Sequence, residues 1–403
     1  MLTMLGTGLQ LPTTTTRTTV TLLFPFSHFP NGEHVTIEEV FDAYYICRKY
    51  KRRTLSAIKF EMNFVSECYA LWKELNSSTY KIGKSVAFCV TYPKMREVFA
   101  ANFRDRIIHH LIINRFSSIF EQEMLDTSYA CRKEKGSLCG VKTLQKQMQE
   151  IGGDGWYARC DIQGFFMSID KDILYTEVER ILRKYAVKDV DWWLWLIKLV
   201  IMHRPELNCD IHGDKRLWDK LPKNKSLFFS DGKGLPIGNL TSQVFANIYL
   251  SMFDKWLSGI LGDEGRQSRY VDDFAMIHPS KDLITKLVPL AREWLSSHLK
   301  LTMHHRKVCV QQVHKGMRFI GVYVREHDLY PSRRLIEGSY NLAKYSKSIP
   351  RHKVVGRMNS RWGLMVHYHS YMLRRRLWRV LVANDRGRFI CINHKKLKER
   401  KQK

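Results

Sequence analysis

The stretch Arg269-Tyr270-Val271-Asp272-Asp273-Phe274-Ala275-Met276-Ile277, preceded by Gln267-Ser268, sets two carboxylates at the joint between two β-prone runs and reads as a tight hairpin. Asp-Asp is also a common dipeptide of solvated turns, so this tetrapeptide decides little alone. Two adjacent carboxylates with no cation beside them in sequence are nevertheless costly, and a divalent metal would supply the missing charge.

Upstream, Trp156-Tyr157-Ala158-Arg159-Cys160 reads as a strand ending in Asp161-Ile162-Gln163-Gly164-Phe165-Phe166, with a helix from Asp170 to Tyr185. A strand fixes the position of an Asp at its end while the following loop leaves room for substrate. Adjacent strands of one sheet would bring Asp161 to the Asp272-Asp273 turn around two divalent ions about 3.5–4 Å apart, an arrangement suited to in-line nucleotidyl transfer.

Other segments carry weaker signals. Gly234-Leu235-Pro236-Ile237-Gly238-Asn239-Leu240-Thr241-Ser242-Gln243 is a flexible turn running into a helix, and its glycines let a template strand or nucleotide approach the backbone, although on these residues alone a structural loop is the favoured reading. Tyr92 to Ala100 reads as a short strand with two cations, Lys94 and Arg96; these would reach a triphosphate or pair on the surface with Glu97 or Asp105. Phe60, Phe64, Cys68, Leu71 and Leu75 fit one amphipathic helix, and Trp192, Trp193 and Trp195 a buried one. No chemistry attaches to the basic loop Tyr129-Ala130-Cys131-Arg132-Lys133.

Composition bounds the partners. Lys+Arg (66) exceed Asp+Glu (39) in 403 residues, a formal charge of +27 that disfavours compaction unless a polyanion is bound, nucleic acid first and anionic membrane second. Nine cysteines without a C-x-x-C pair indicate neither a zinc ribbon nor a disulfide scaffold and fit a cytoplasmic setting. No apolar run is long enough to suggest a membrane span. Residues 1–35, with their Thr13–Thr16 tract, read as a disordered or over-extended lead, and order is expected from Thr36. The basic cluster Arg48, Lys49, Lys51, Arg52 and Arg53 reads equally as a solvated face or a phosphate-contacting patch.

Taken in order, Arg96, Asp161 with Phe166, Leu235-Pro236-Ile237-Gly238, Tyr270-Val271-Asp272-Asp273, Lys307 and Gly316-Met317-Arg318-Phe319-Ile320-Gly321 resemble the successive motifs of reverse transcriptases. The resemblance covers about residues 36 to 380. Ile237-Gly238-Asn239-Leu240-Thr241-Ser242-Gln243 looks like the version found in diversity-generating retroelements; most other reverse transcriptases have Gln in place of Ile237 and Pro in place of Gln243. Asn359-Ser360-Arg361-Trp362-Gly363-Leu364 is similar to the helical thumb of that group.

That resemblance implies an α+β right hand whose palm is a small antiparallel sheet with helices on one face. The expected division is fingers 36–155, palm with fingers insertions 156–330, helical thumb 331–380 and basic tail 381–403. From Arg351 to Lys403 there are 16 Lys+Arg against two acids, which suits a template–primer backbone. By resemblance, Asp161, the Ile162 carbonyl, Asp272 and Asp273 hold two Mg²⁺ ions, which Mn²⁺ can replace. Arg96 meets the incoming deoxynucleoside triphosphate, and Phe166 lies under its sugar and excludes a 2′-hydroxyl. Ile237, Gly238 and Gln243 belong to the nucleotide pocket, Lys307 neutralises pyrophosphate with Arg306 as its rival, and Phe319, Ile320 and Gly321 form a primer grip. The implied activity is error-prone synthesis of mutagenised cDNA in mutagenic retrohoming, with template RNA, RNA–DNA duplex and a small basic accessory variability protein as partners. Another prokaryotic reverse transcriptase (retron, group II intron-like or phage defence) and a catalytically silent RNA-binding scaffold are the alternatives. Too little chain follows residue 380 for an RNase H or endonuclease domain, so cleavage is expected from elsewhere.

Overall fold

The computed structural model describes residues 32–49, 54–92, 94–385 and 387–400; positions 1–31 of the expected lead and Lys51, Arg52 and Arg53 of the basic cluster lie outside the described residues. Among the described residues three helices come first, α1 (Ile37–Arg48), α2 (Leu55–Met62) and α3 (Phe64–Asn76). Thr36 opens α1 with a capping box, its hydroxyl accepting from the Glu39 amide while the Glu39 carboxylate accepts from its own. Order reaches back past Thr36, because Val35 is fully buried and donates its amide to Asn76 Oδ1 at 3.1 Å. The apolar spacing read as one helix from Phe60 to Leu75 is two helices. Asn63 leaves helical geometry (φ −130°, ψ 33°) between them, a break that asparagine tolerates and that side-chain periodicity does not register.

Next, β1 (Ser85–Val90) and β2 (Arg96–Ala100) form an antiparallel ribbon, followed by the long α4 (Phe103–Glu123) and by α5 (Ser137–Ile151). Then come β3 (Trp156–Asp161), the single turn α6 (Phe165–Ser168), α7 (Lys171–Lys184) and the buried tryptophan helix α8 (Val190–Met202). β4 (Cys209–Ile211) adds in parallel to the free edge of β1. The chain continues through α9 (Leu240–Leu261), β5 (Arg266–Tyr270), β6 (Asp273–His278), α10 (Lys281–Leu299) and β7 (Cys309–Gln312).

The expected small antiparallel sheet has strand order β5-β6-β3-β7. It is covered on both faces, not one. Ala158, Cys160, Phe274 and Met276 pack into the main core with α9 and α10, while Tyr157, Ala275 and Ile277 pack with Val141, Leu144 and Met148 of α5. The cause is visible in β6, whose run Phe274–Ile277 is apolar at every position and therefore buries both of its sides.

Beyond β7, β8 (Met317–Phe319), β9 (Val322–Val324) and β10 (Leu329–Pro331) form a three-stranded antiparallel sheet, and α11 (Arg333–Lys344), α12 (Arg351–Met365) and α13 (Tyr371–Asn384) follow. Within the stretch read as a basic tail, β11 (Phe389–Ile392) and β12 (Lys396–Glu399) form a hairpin. Phe389 and Leu397 are buried in a core shared with α12 and α13, and Asn359 bonds both the amide and the carbonyl of Leu397. No helix among the described residues is long and apolar enough to cross a membrane.

One charge cluster ties α4, α7 and α9 together. The buried Glu123 carboxylate accepts from Lys184 (2.5 Å), Lys255 (2.6 Å) and Arg180 (3.3 Å). Burial alone would raise its pKa, but these three cations outweigh burial and hold it at about 2, against an ordinary glutamate value of 4.5. A depressed folded-state pKa gives stability that is present above 4.5 and is lost as pH falls toward 2. Glu123→Gln is therefore expected to cost roughly 2–3 kcal/mol at pH 7, with a deficit that shrinks through that acid window. Urea unfolding of both proteins at several pH values measures it, and a deficit constant with pH would contradict the assignment.

Candidate active site

In the β3–β6 register Asp161 lies opposite Asp273, and in the β5–β6 register Tyr270 also lies opposite Asp273, so Val271 and Asp272 are the two loop residues of the hairpin. Val271 has φ 59°, a left-handed conformation unfavourable for a β-branched residue. The turn is held from beneath. Arg269, 2% exposed, donates from Nη1 to the Val271 carbonyl at 3.1 Å. Its guanidinium also pairs with buried Asp254 of α9 (2.7–2.9 Å) and donates to Asn247 Oδ1 and Ser128 Oγ. The Arg269 amide donates to the Thr127 carbonyl and its carbonyl accepts from the Tyr129 amide, which gives the loop after α4 a structural task. From the other side, the Ile162 amide donates to the Asp272 carbonyl at 3.1 Å.

This framework gathers Asp161, Asp272 and Asp273. Lys307, in a short helical turn before β7, donates to Asp161 Oδ2 at 2.5 Å; Arg306 beside it makes no such contact. Arg159 forks onto Asp273 at 2.9 and 3.1 Å. Burial raises the pKa of Asp272, and Asp161 raises it further. Asp273 is pushed up to about 6 by burial, which the Arg159 ion pair only partly offsets. Among the described residues no group of three or more His, Cys, Asp or Glu is placed to hold a metal ion, and Asp161 and Asp273 pair with Lys307 and Arg159. The donor set still suits a hard divalent ion: its ligands are oxygens only and partly desolvated, and Asp272, raised by burial and by Asp161, is the carboxylate of the three without an ion pair among the described residues.

The residues expected around a nucleotide lie on α6, on β2, in the turn before α9 and on the first turn of α9. Phe166 on α6 is half-buried against Phe165, and its carbonyl accepts from the Leu235 amide at 2.7 Å. Ile237 packs with Phe99, Met167 and Leu227, and its carbonyl accepts from Phe99 at 2.9 Å. Gly238 has φ +123°, and a methyl group there would fall 2.8 Å from Val98 Cγ1, so this position requires glycine. Gln243 is exposed on the first turn of α9, and Arg96 is exposed at the head of β2. Lys94, just before β2, lies near enough to lower the pKa of Asp272 against the effect of burial. Phe319, Ile320 and Gly321 sit on the separate β8–β9 hairpin, Phe319 fully buried and Ile320-Gly321 forming its turn.

Sequence reasoning missed Arg159 and the Arg269–Asp254 pair. Arg159 was findable, because residues two apart on a strand share a face and Asp161 is two positions on. Asp254 carries no such signal, being one acid on a helix face whose other polar residues, Asn247 and Ser251, are uncharged.

Residues 90–324 match the family model described as reverse transcriptase (RNA-dependent DNA polymerase). The chain is 24% identical over 235 residues to the group II intron-encoded protein LtrA of Lactococcus lactis, covering 56% of this chain and 35% of that protein. It is 21% identical over 277 residues to protein YkfC of Escherichia coli (60% and 67%) and 21% identical over 245 residues to the putative COX1/OXI3 intron 1 protein of Saccharomyces cerevisiae (59% and 25%). The matches thus span between a quarter and two thirds of these relatives' lengths. Among solved structures, apo telomerase from Candida tropicalis aligns with a TM-score of 0.45 at 11% identity, over 76% of this chain and 60% of that one.

If Arg269 holds the turn, Asp254→Asn should leave its buried charge unpaired and lower unfolding free energy by about 3 kcal/mol, whereas Asp263→Asn on the nearby surface should stay within about 0.5 kcal/mol. Denaturant titration of the two variants separates a buried charge pair from a dispensable one, and equal losses would refute the role given to Asp254.

Proposed function

The chain belongs to the reverse transcriptase (RNA-dependent DNA polymerase) family, and from that premise we propose that it extends a primer 3′-hydroxyl with deoxynucleotides along an RNA template. The observation that carries this reading is the register placing Asp161 opposite Asp273, with Asp272 in the adjoining turn and Lys307 against Asp161. Asp161, Asp272, Asp273 and the Ile162 carbonyl would hold two Mg²⁺ ions, with Arg159 orienting Asp273. When bound, such ions make the 3′-hydroxyl more nucleophilic and neutralise charge on the triphosphate.

The chain's own groups do the rest. Lys307 exchanges Asp161 for the leaving pyrophosphate, and Arg96 and Lys94 meet the triphosphate from the β2 side. Phe166 lies beneath the sugar, where a 2′-hydroxyl would clash. Phe319, Ile320 and Gly321 seat the primer, and the basic residues after Arg351 follow the duplex backbone. We assign the fingers, palm and thumb to 36–155, 156–330 and 331–380, the last extended by the β11–β12 hairpin.

Within the family, Ile237 and Gln243 support a diversity-generating retroelement enzyme that makes mutagenised cDNA with a small basic accessory protein. Similarity to group II intron-encoded proteins favours a second reading, an intron-type reverse transcriptase. A near-duplicate repeat pair beside the coding sequence, differing at adenines, would select the first.

With Mg²⁺, an RNA template, a primer and deoxynucleotides, the protein should make DNA, and Asp272→Ala with Asp273→Ala should abolish synthesis while RNA binding persists on the untouched basic surface. Synthesis by the double variant within tenfold of the unmodified enzyme would exclude the metal assignment. Fidelity separates the two readings. Isoleucine lacks the hydrogen bond that glutamine offers, a difference of about 0.5–1.5 kcal/mol or roughly threefold to tenfold in discrimination. Ile237→Gln should therefore lower misincorporation opposite template adenines by that factor, as read by sequencing cDNA from one RNA. Unchanged error in an active variant would move the source of infidelity away from Ile237.

A further inference from the structure

We propose that Lys225, in the segment between β4 and α9, is a phosphate-gripping residue that contacts the polyphosphate of the incoming nucleotide together with Lys94 and Lys307. The inference deepens the polymerase reading above and rests on it.

The residues on either side of Lys225 are fixed by different parts of the site. On one side, Ser226 Oγ and the Leu227 amide donate to the Glu97 carboxylate at 2.6 and 2.7 Å, and Trp218 Nε1 donates to it at 2.7 Å. Glu97 has no exposed surface and follows Arg96 directly on β2. A carboxylate is costly to bury, and three converging donors offset that cost only while the 218–227 segment stays in place. On the other side, the Asn224 carbonyl occupies the space a Cβ on Gly164 would need, at 2.5 Å, so the segment backbone abuts the loop that follows Asp161. Gly164 also has φ +57°, so this contact needs a glycine twice over.

Lys225 is thus held between the strand that carries Arg96 and the loop that follows Asp161. Its charged surroundings agree. Burial lowers its pKa first, then Lys94 and Lys307, with Asp161 opposing them. Among the described residues neither Lys225, Lys94 nor Arg96 has a carboxylate within ion-pair distance, whereas Lys307 sits on Asp161. Lys94 and Lys225, without counterions of their own and close to Lys307 and Asp161, form a site for a multiply charged anion, which a triphosphate fits. Lys223, two residues earlier, differs: its ammonium lies over the Phe229 ring at 5.6 Å, and it serves as the control.

Primer extension on an RNA template at varied deoxynucleotide concentration tests the assignment in the full chain. Lys225→Ala should raise KM for the nucleotide about tenfold or more, with kcat and template–primer affinity within about threefold. Lys225→Arg should recover most of the loss, and Lys223→Ala should match the unmodified enzyme. An unchanged nucleotide KM in Lys225→Ala would overturn the proposal. So would a loss confined to template–primer affinity, which would mark Lys225 as a backbone contact. Calorimetric titration with inorganic tripolyphosphate separates this inference from the reading beneath it. Tripolyphosphate binding weakened about tenfold by Lys225→Ala, in a protein that makes no DNA, would keep the anion site and remove the polymerase. Normal DNA synthesis with tripolyphosphate affinity and KM both unchanged in the variant would remove the anion site and keep the polymerase.

Discussion

The buried ion pair between Arg269 and Asp254 is the constraint on which the site depends. It lies under a hairpin whose first loop residue, Val271, is left-handed at a β-branched position, and a turn of that kind persists only where its surroundings over-determine it. Arg269 supplies that determination by reaching α9 through Asp254 and Asn247, the loop after α4 through Ser128, and the turn itself through the Val271 carbonyl. A guanidinium suits this task because its donors leave in a fixed plane, so satisfying several partners at once fixes their relative positions. Buried ion pairs add little net stability, but they are strongly directional. Here the direction sets where Asp272 stands relative to the end of β3.

Charge placement above that pair follows a consistent logic. Burial raises the pKa of Asp272 and Asp273, Arg159 offsets part of the effect at Asp273, and Lys307 rests on Asp161. Lys94 and Lys225 stand nearby without carboxylate partners of their own. Among the described residues Asp272 has no ion pair and neither has Lys94 or Lys225, charges that a divalent ion and a polyphosphate would neutralise together. A formal charge of +27 over the whole chain extends the same preference to a nucleic-acid backbone.

Much of this was legible in the sequence, for definable reasons. The hairpin at Asp272-Asp273, the strand ending at Asp161 and the buried tryptophan helix each carry strong local periodicity or a turn signal, and each appears as read. What escaped depends on long-range partners. The second covered face of the sheet follows from the apolar run in β6, which local pattern alone cannot tell from a one-sided strand with a bulky neighbour. The break at Asn63 preserves apolar spacing, so periodicity passes through it unnoticed. The β11–β12 hairpin hides two buried residues, Phe389 and Leu397, in a stretch whose charge dominates its appearance. Glu97 reads as one of two surface partners open to Arg96 but is the buried hub of the 218–227 segment, a role set by residues more than a hundred positions away.

The central claim is that this framework presents Asp161 and Asp272 to divalent metal. Anomalous diffraction from crystals of the protein with RNA template, primer, deoxynucleotide and Mn²⁺ tests it directly. The account predicts Mn²⁺ peaks within coordination distance of both Asp161 and Asp272, with Lys307 displaced from Asp161 toward phosphate. Metal density confined to other residues, with Lys307 still bound to Asp161, would contradict it.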